Sequence, residues 1–156
     1  MAATPYDMAV IGGGPAGYVA GVRVAQSGGR CVVIERDALG GTCLNWGCIP
    51  SKSLIASAAL LRRIREAPDF GIEVKGEVRA DLAALIERKD KIVEGLVAGI
   101  GGLLRAHKVD HLPGEAVIEG PGQLRVRLKA GGEAEVRAAR ILIATGSRPA
   151  QIPAFP

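Results

Sequence analysis

Aromatic residues and cysteines are scarce in this sequence, and long apolar runs are absent from it. Phe, Trp and Tyr make up 3% of the 156 residues, and there are three cysteines. So few cysteines exclude a secreted module held together by several disulfides. No run approaches the roughly 20 apolar residues of a membrane span, and the first residues lack the basic flank and apolar stretch of a signal peptide. We therefore expect a cytoplasmic protein with no membrane partner.

The charge of the chain indicates no particular partner. The formal net charge is +4, and the basic residues are spread along the chain except at Arg62, Arg63 and Arg65. No stacking aromatics accompany these three arginines, so a solvated helix face explains them better than a nucleic-acid site. Because 48% of the residues are apolar, the composition predicts an ordered domain with its own core.

The N-terminal part of the chain predicts a strand, a tight turn, a helix and a second strand. Met8 to Ile11 form a short apolar run that stops at the glycines Gly12 to Gly14. Small residues from Pro15 to about Ser27 have helical composition, and Cys31 to Ile34 form a second β-rich run. These pieces begin a βαβ unit, which implies a parallel sheet with a right-handed crossover.

Two long helical segments follow this unit. The first runs from Cys43 to Ala67 and is expected to be interrupted early by Pro50. Asp81 is expected to cap the second, in which apolar residues recur at three- and four-residue spacing up to Leu104. We expect this stripe to pack into a core, and glycines at 99, 101 and 102 to weaken the last turns or end the helix early.

The remaining sequence predicts short strands separated by turns. Four short β-rich runs, at 109–112, 115–118, 124–128 and 133–136, predict a small antiparallel meander. The apolar run from Arg140 to Ala144 then predicts a buried strand that ends at Thr145-Gly146. The fold class is accordingly α/β: a Rossmann-like fold with a parallel sheet, a helical excursion and a small antiparallel meander.

A GxGxxG motif lies between the first strand and the helix and comprises Gly12, Gly13, Gly14, Pro15, Ala16 and Gly17. Gly12 permits the tight turn, Gly14 lets the backbone approach a pyrophosphate, and Gly17 allows close packing of helix and strand. At the end of the second strand, Glu35 can accept hydrogen bonds from a ribose. The pattern predicts dinucleotide binding without deciding between NAD and FAD.

Cys43 and Cys48 follow directly after the predicted nucleotide-binding unit. In an ideal helix, residues five apart have Cα atoms about 8.6 Å apart, whereas a disulfide needs less than about 6.8 Å. A bridge would therefore require distorted backbone, for which Gly47 and Pro50 are suited. Two free thiols and half of a zinc site are the alternatives, although the spacing is poor for zinc and we expect no metal site. Cys31 is expected to be a small core residue.

The segment Gly40 to Lys52, with the sequence GGTCLNWGCIPSK, resembles the redox-active disulfide region of the pyridine nucleotide-disulfide oxidoreductases, most nearly that of dihydrolipoamide dehydrogenase. The resemblance extends over nearly the whole chain. It includes the GxGxxG motif, Glu35, and the closing segment Ala144-Thr145-Gly146-Ser147-Arg148-Pro149. It implies FAD as the cofactor, NAD as a further cofactor of the full-length enzyme, and a FAD-binding version of the fold.

The resemblance also implies roles for individual residues. Cys43 and Cys48 would form the catalytic disulfide, with Cys43 as the interchange thiol and Cys48 nearer the flavin. Lys52 would lie beside the flavin ring. Further cofactor contacts would come from the motif itself, the acid after the second strand and the later strand ends: Gly12, Gly14, Pro15, Ala16, Gly17, Glu35, Arg36, Gly41, Thr42, Gly114, Ala116, Ala144, Thr145 and Gly146.

The family pattern extends beyond this sequence. A second GxGxxG motif and the family's C-terminal base are not found, and His107 and His111 match neither position. We expect residues 1–149 to be a first FAD-binding segment without its return strand, and 150–156 to begin a linker. The chain would be a truncated part of an enzyme that is not active alone.

The resemblance implies partners for the full-length enzyme. They are a dihydrolipoyl-bearing protein or small dithiol as substrate, a homodimer, and a 2-oxo acid dehydrogenase complex as the larger assembly. The alternatives are a glutathione or mercuric reductase-type relative and a stand-alone FAD-binding module without a catalytic cycle.

Overall fold

Five strands and four α-helices make up the computed structural model, which describes residues 5–148, 150 and 152. The strands are β1 (Tyr6–Ile11), β2 (Cys31–Glu35), β3 (Asp110–Gly120), β4 (Gln123–Leu128) and β5 (Glu133–Ile143). The helices are α1 (Pro15–Gln26), α2 (Gly41–Asn45), α3 (Cys48–Glu66) and α4 (Leu82–Ala106), with a 3₁₀ turn at Ala67–Phe70. The chain divides into a sheet unit, residues 1–41 with 100–156, and a helical unit, residues 42–99.

The parallel sheet of the sheet unit is built around β1. This strand pairs with β2 on one side and β5 on the other, and β2 pairs in turn with β3, all in parallel. Ala9 and Val10 of β1 and the run Cys31–Ile34 of β2 are buried, as continuous apolar runs in a parallel sheet require. The predicted βαβ unit and α/β class are confirmed.

Two long strands join the parallel sheet to the antiparallel meander. Up to Pro113, β3 pairs with β2, and from Gly114 onward it pairs with β4. The expectation of separate strands at 109–112 and 115–118 is therefore wrong. Pro113 is accommodated where the strand exchanges partners, since its missing N–H is not needed there, and its carbonyl accepts from the N–H of Lys129 at 2.9 Å.

The last strand has the same double role. Glu133–Arg137 of β5 pairs with β4, whereas Ala138 and Arg140–Ile143 pair with β1. The predicted runs at 133–136 and 140–144 thus belong mainly to one strand. The expectation that the second run is buried is wrong for the described chain, since Arg140 is exposed and Ile143 is 63% exposed. The five strands close into a barrel. Seven buried residues form its core: Ala9, Val32, Ile34, Leu124, Val126, Val136 and Ala138.

The beginning of α3 differs from the sequence expectation. Pro50 does not interrupt the helix, because it occupies the first turn, where a backbone N–H has no intrahelical partner. The helical path is instead interrupted between Asn45, where α2 ends, and Cys48, where α3 begins.

Helix α4 confirms the predicted cap and contradicts two other expectations. Asp81 caps it through an Ala84 N–H···Oδ1 hydrogen bond of 3.0 Å. The glycines at 99, 101 and 102 do not end it, and it continues to Ala106. Its apolar stripe does not pack into a core in the described chain. Leu104 is the one residue of the helix that is buried, and Leu82, for example, is exposed.

The end of α4 is fixed by backbone hydrogen bonds. Lys108 N–H donates to the carbonyl of Arg105 at 3.0 Å, and Val109 N–H donates to that of Leu104 at 2.9 Å. These two bonds form a Schellman motif, with Lys108 in the left-handed region at φ 56°. Leu104 and Val109 are both buried, and these are the two positions at which apolar residues commonly accompany the motif. In the described part of the chain, no helix has the length and apolar character to cross a membrane.

Candidate cofactor and disulfide sites

The turn between β1 and α1 is built for close backbone packing. Gly12 has φ 107°, and a Cβ on it would lie 2.8 Å from the carbonyl carbon of Ala144. A Cβ on Gly17 would lie 2.9 Å from the carbonyl carbon of Gly12. Real Cβ atoms do not approach backbone so closely, so both positions require glycine and bring α1 against the turn.

Gly14 differs from these two glycines. Its φ of −70° is accessible to any residue, and an added Cβ would meet the Cα of Gly41 at an ordinary 3.7 Å. The packing of the protein therefore does not require glycine at this position. Gly14 is the N-cap of α1, no side chain caps the helix, and Pro15 follows. The free N–H groups of the first turn can receive an anion that comes close to the Gly14 backbone.

Glu35 is held in place by two backbone groups. Its Oε2 accepts from the N–H of Gly13 at 2.7 Å, and its Oε1 accepts from the N–H of Asp37 at 2.7 Å. Each carboxylate oxygen keeps a further lone pair that can accept from a ribose hydroxyl. The acid predicted from the sequence is thus oriented at the carboxyl end of β2.

A cavity of about 240 Å³ lies in the sheet unit at the carboxyl ends of the parallel strands. Its lining residues are Ile11, Gly12, Ile34, Glu35, Arg36, Gly114, Glu115, Ala116, Thr145, Gly146, Ser147 and Arg148. Drug-sized ligands typically occupy about 300–1,000 Å³, so this volume suits one part of a dinucleotide. The carboxyl ends of parallel strands are the usual ligand edge of such sheets. The residues present fit the adenosine diphosphate part of FAD.

The cavity brings together seven predicted contacts and several residues that were not predicted. Glu115 and Arg148 are among the latter. Glu115 pairs with Arg36 at 4.0 Å and also with Arg127. In the sequence, Glu115 lies between the predicted contacts Gly114 and Ala116. That position was the signal that could have indicated it. Ala144 lies at the end of β5, where its N–H donates to the carbonyl of Ile11 at 2.8 Å.

Gly41 lies beside the glycine-rich turn. A Cβ on it would be 3.1 Å from the Cα of Gly14 and 3.1 Å from the Cδ of Pro15. Its φ of 68° also favours glycine. The neighbouring Gly40 N–H donates to the carbonyl of Gly13 at 2.9 Å. These contacts fix the loop that leads into α2.

Cys43 and Cys48 form a disulfide within the helical unit. Their Cα atoms are 4.8 Å apart, well inside bridging range, because the chain leaves helical geometry at Gly47 (φ −122°, ψ −109°). A Cβ on Gly47 would lie 3.1 Å from the carbonyl oxygen of Thr42 and 3.2 Å from the Cα of Cys43. The distortion expected from the five-residue spacing is thus present, and it depends on a glycine.

The other predicted members of the helical unit lie next to this disulfide in the chain. Lys52 is exposed on α3, four residues after Cys48 and therefore on the same helix face. The carbonyl of Thr42 accepts from the N–H of Trp46 at 2.9 Å. Among the described residues, no group of three or more His, Cys, Asp or Glu side chains could hold a metal ion.

Cys31 is a buried free cysteine, as expected for a core residue. Burial, followed by the negative charge of Asp110, raises the pKa of its thiol to about 11. A thiol with so high a pKa is a poor nucleophile at neutral pH. His107 and His111 lie around the turn from α4 to β3. Burial lowers the pKa of His111, and the charge of Glu35 opposes that shift.

Comparison with known proteins identifies the family to which this arrangement belongs. Residues 6–155 match the model of the pyridine nucleotide-disulphide oxidoreductases. Dihydrolipoyl dehydrogenases from Rhizobium etli and Bacillus subtilis are 38% and 42% identical to this sequence, each over 97% of the chain. Dihydrolipoyl dehydrogenase 3 from Pseudomonas aeruginosa is 44% identical, also over 97%. The chain spans about a third of the length of these curated relatives, 34%, 33% and 32% respectively.

A solved structure shares the fold. The HOCl-induced flavoprotein disulfide reductase RclA from Escherichia coli, in its Cu(II) complex, superimposes with a TM-score of 0.79 at 29% identity. The match covers 96% of this chain and 30% of that one. The fold is that of the FAD-binding part of these enzymes, and the family uses FAD and NAD(H). The chain belongs to the pyridine nucleotide-disulphide oxidoreductase family.

Proposed function

We propose that this chain binds FAD through its sheet unit and supplies the redox-active disulfide of a dihydrolipoyl dehydrogenase-like enzyme. The observation that carries the proposal is the Cys43–Cys48 disulfide, formed where Gly47 interrupts the helical path. In the chain it comes after the βαβ unit, whose glycine-rich turn leaves no room for a Cβ at Gly12 or Gly17. The relatives, similar over nearly the whole chain, carry the name dihydrolipoyl dehydrogenase.

The sheet unit would hold the adenosine diphosphate part of FAD. The N–H groups of Ala16 and Gly17 in the first turn of α1 would bind the pyrophosphate, with Gly14 and Pro15 leaving room for it. Glu35 would accept from the ribose hydroxyls. Further contacts in this unit would come from the cavity lining and from neighbouring loops: Gly12, Arg36, Gly41, Gly114, Ala116, Ala144, Thr145 and Gly146. Thr42, the first residue of the helical unit, is a further proposed contact by the family resemblance.

The disulfide would exchange with a dithiol substrate. A substrate thiolate attacks the Sγ of Cys43, the Cys43–Cys48 bond breaks, and Cys48 leaves as a thiolate. The second substrate thiol then attacks the substrate sulfur of the mixed disulfide, which releases oxidised substrate and Cys43 as a thiol. The cysteines have gained two electrons. Bound FAD would supply the redox chemistry that carries those electrons from Cys48 to NAD⁺, and the ammonium of Lys52 would bias the charge beside it.

The remaining assignments concern the full-length enzyme. Residues 1–149 would form the first FAD-binding segment and 150–156 the start of a linker; residues 149, 151 and 153–156 lie outside the described residues. We propose a homodimer in the cytoplasm that acts on a dihydrolipoyl-bearing protein or a small dithiol. A 2-oxo acid dehydrogenase complex would be its larger assembly, and this chain by itself would not turn over.

A second candidate is a disulfide reductase that runs the same exchange in the opposite direction. It is favoured by the structural match to a flavoprotein disulfide reductase. A glutathione reductase-type relative belongs to this class, and a mercuric reductase-type relative would pass electrons in the same direction to a metal ion instead of a disulfide. The two candidates differ in whether the cysteines are reduced by a dithiol or by the bound flavin. A stand-alone FAD-binding module would neither oxidise a dithiol nor reduce a disulfide. Free thiols at Cys43 and Cys48 that persist in the air-oxidised chain would favour such a module.

Gly14→Ala tests FAD binding. An added methyl has room in the protein but would occupy the space of the pyrophosphate. We expect thermal unfolding to be unchanged and FAD affinity, from quenching of flavin fluorescence, to fall at least tenfold. Gly95→Ala, on α4 where an added Cβ would meet nothing within 4 Å, is the matched control and should leave affinity unchanged. Equal binding by the two variants, or no binding by the parent chain, would contradict the proposed cofactor site.

Thiol titration in denaturant tests the redox pair. The oxidised chain should show one thiol, that of Cys31, and reduction by dithiothreitol or dihydrolipoamide should add those of Cys43 and Cys48. Cys31→Ala is the control, with no thiol before reduction. Reduction of the Cys43–Cys48 disulfide by dihydrolipoamide would favour the dihydrolipoyl dehydrogenase-like enzyme over the disulfide reductase.

A further inference from the structure

Ser53 is the buried polar residue of α3. Its residue surface is 7% exposed, and it is the one polar or charged residue that is buried in the described part of the chain. It lies five residues after Cys48, which places it about 7.5 Å along the helix axis. A buried hydroxyl needs a hydrogen-bond partner, because leaving it unpaired costs free energy.

The partner of Ser53 comes from the other long helix of the same unit. The Nη1 of Arg88 on α4 donates to the Oγ of Ser53 at 3.0 Å. A guanidinium donor makes this a charge-assisted hydrogen bond, which is stronger than a neutral one. It connects two helices that are otherwise joined by a mostly exposed segment, residues 67–81.

From this contact we propose that Arg88 is a positioning residue for the redox disulfide, acting through Ser53 on the start of α3. The inference rests on the proposed redox role of Cys43 and Cys48. In the oxidised chain, the covalent bridge holds the start of α3 whether or not the Ser53–Arg88 bond is present. In the reduced chain that bond restrains α3, so that Cys48 stays within reach of Cys43. Without it the two thiols separate more often, and the dithiol form gains conformational freedom.

The direct effect of the Arg88 charge would have the opposite sign. A nearby cation favours a thiolate and thereby favours the reduced form. Removing the charge alone would make the disulfide more stable, whereas removing the positioning bond makes it less stable. The direction of the change therefore distinguishes the two effects.

The experiment measures the equilibrium of the oxidised chain with glutathione, in which two glutathione molecules reduce the disulfide to two thiols and form one glutathione disulfide. The 156-residue chain is used without flavin. Ser53→Ala and Arg88→Met should each shift this equilibrium toward the dithiol by about three- to tenfold. Tenfold corresponds to about 30 mV for a two-electron couple. The double variant should equal either single variant, because both remove the same bond.

Matched controls come from the same helix. Ser57→Ala removes a hydroxyl that donates within α3, to the carbonyl of Ser53, and Arg63→Met removes an exposed charge. Both should stay within twofold of the parent. Circular dichroism checks that each variant folds. If Ser53→Ala does not fold, Arg88→Met still tests the proposal, because Arg88 is exposed.

The possible results separate this proposal from the one on which it rests. An unchanged equilibrium in both single variants overturns the positioning role, and so does a shift toward the disulfide in Arg88→Met. Additive effects in the double variant also overturn it. A parent chain that forms no Cys43–Cys48 disulfide contradicts the proposed function instead, and this is seen before any variant is made.

Discussion

The sheet unit and the helical unit hold their residues in place by different means. All of the buried hydrophobic residues in the described chain, from Ala9 to Ala138, belong to the sheet unit. In the helical unit, the buried residue is Ser53. The sheet unit is therefore stabilised by burial of apolar surface, whereas the helical unit relies on helix formation, the Cys43–Cys48 disulfide and charge-assisted hydrogen bonds such as that from Arg88 to Ser53.

Both units expose large apolar side chains, including Val19 and Ile143 in the sheet unit, but in the described chain only the sheet unit also buries apolar residues. Ile55, Leu60, Phe70, Ile72 and Leu82, all in the helical unit, are each more than half exposed. Regions with few buried apolar contacts open more readily than core strands. Within the described chain, the glycine-rich turn thus belongs to the unit with a buried apolar core, and the disulfide belongs to the unit without one.

The largest expected effect comes from the core of the sheet unit. Leu124→Ala removes a fully buried side chain and should lower the free energy of unfolding by about 2–5 kcal/mol in urea denaturation. Leu60→Ala, at an exposed leucine of the helical unit, is the matched control and should cost less than about 0.5 kcal/mol. Similar losses in the two variants would refute the contrast between the units.

Reduction of the disulfide should affect the helical unit selectively. Loss of so short a cross-linked loop is worth about 2 kcal/mol in the chain-entropy model. Amide hydrogen exchange should therefore accelerate in α2 and in the first turns of α3. Amides of β1 and β2 serve as the internal control and should exchange at unchanged rates. Uniform acceleration across both units would show that they open together.

A smaller change is expected where α4 ends in the sheet unit. Lys108 adopts a left-handed conformation at φ 56°, which glycine adopts more easily. Lys108→Gly should raise the free energy of unfolding by about 1 kcal/mol. Lys108→Val should lower it, because a β-branched residue is least suited to this conformation. A chemical denaturation series on the two variants checks the sign of both.

The last expected change concerns Tyr6 at the start of β1 and is seen only at alkaline pH. Burial, followed by the hydrogen bond from its hydroxyl to Asp110 (2.7 Å), raises its pKa to about 12. Because the folded protein holds this proton more tightly than the unfolded chain does, the stabilisation is complete below pH 10 and is lost between pH 10 and 12. Absorbance near 295 nm should show a phenol step near pH 12 that Tyr6→Phe removes. A step near pH 10 that this variant removes would contradict the shift.

Local patterns predicted the βαβ unit, the Asp81 cap and the need for distorted backbone between the cysteines. Each depends on residues close together in the chain, such as the glycine turn after β1. The continuation of β3 through Pro113 could not be predicted in this way, because it depends on which strands lie beside it. The stripe on α4 was likewise misjudged, since periodicity shows that a face is apolar without showing what covers it. The membership of Glu115 in the cavity depends on strand pairing over more than 70 residues.

The sequence by itself determined the chemistry of this protein: a glycine-rich turn, an acid after the second strand, and two cysteines around Gly47. Glycine spacing and side-chain type are local properties, so they can be recognised without a fold. Only the tertiary structure decided that Arg88 reaches Ser53 and that β3 and β5 each serve two sheets. Such pairings join residues far apart in the chain, and their stability comes from packing and hydrogen bonds that exist only once the chain has folded.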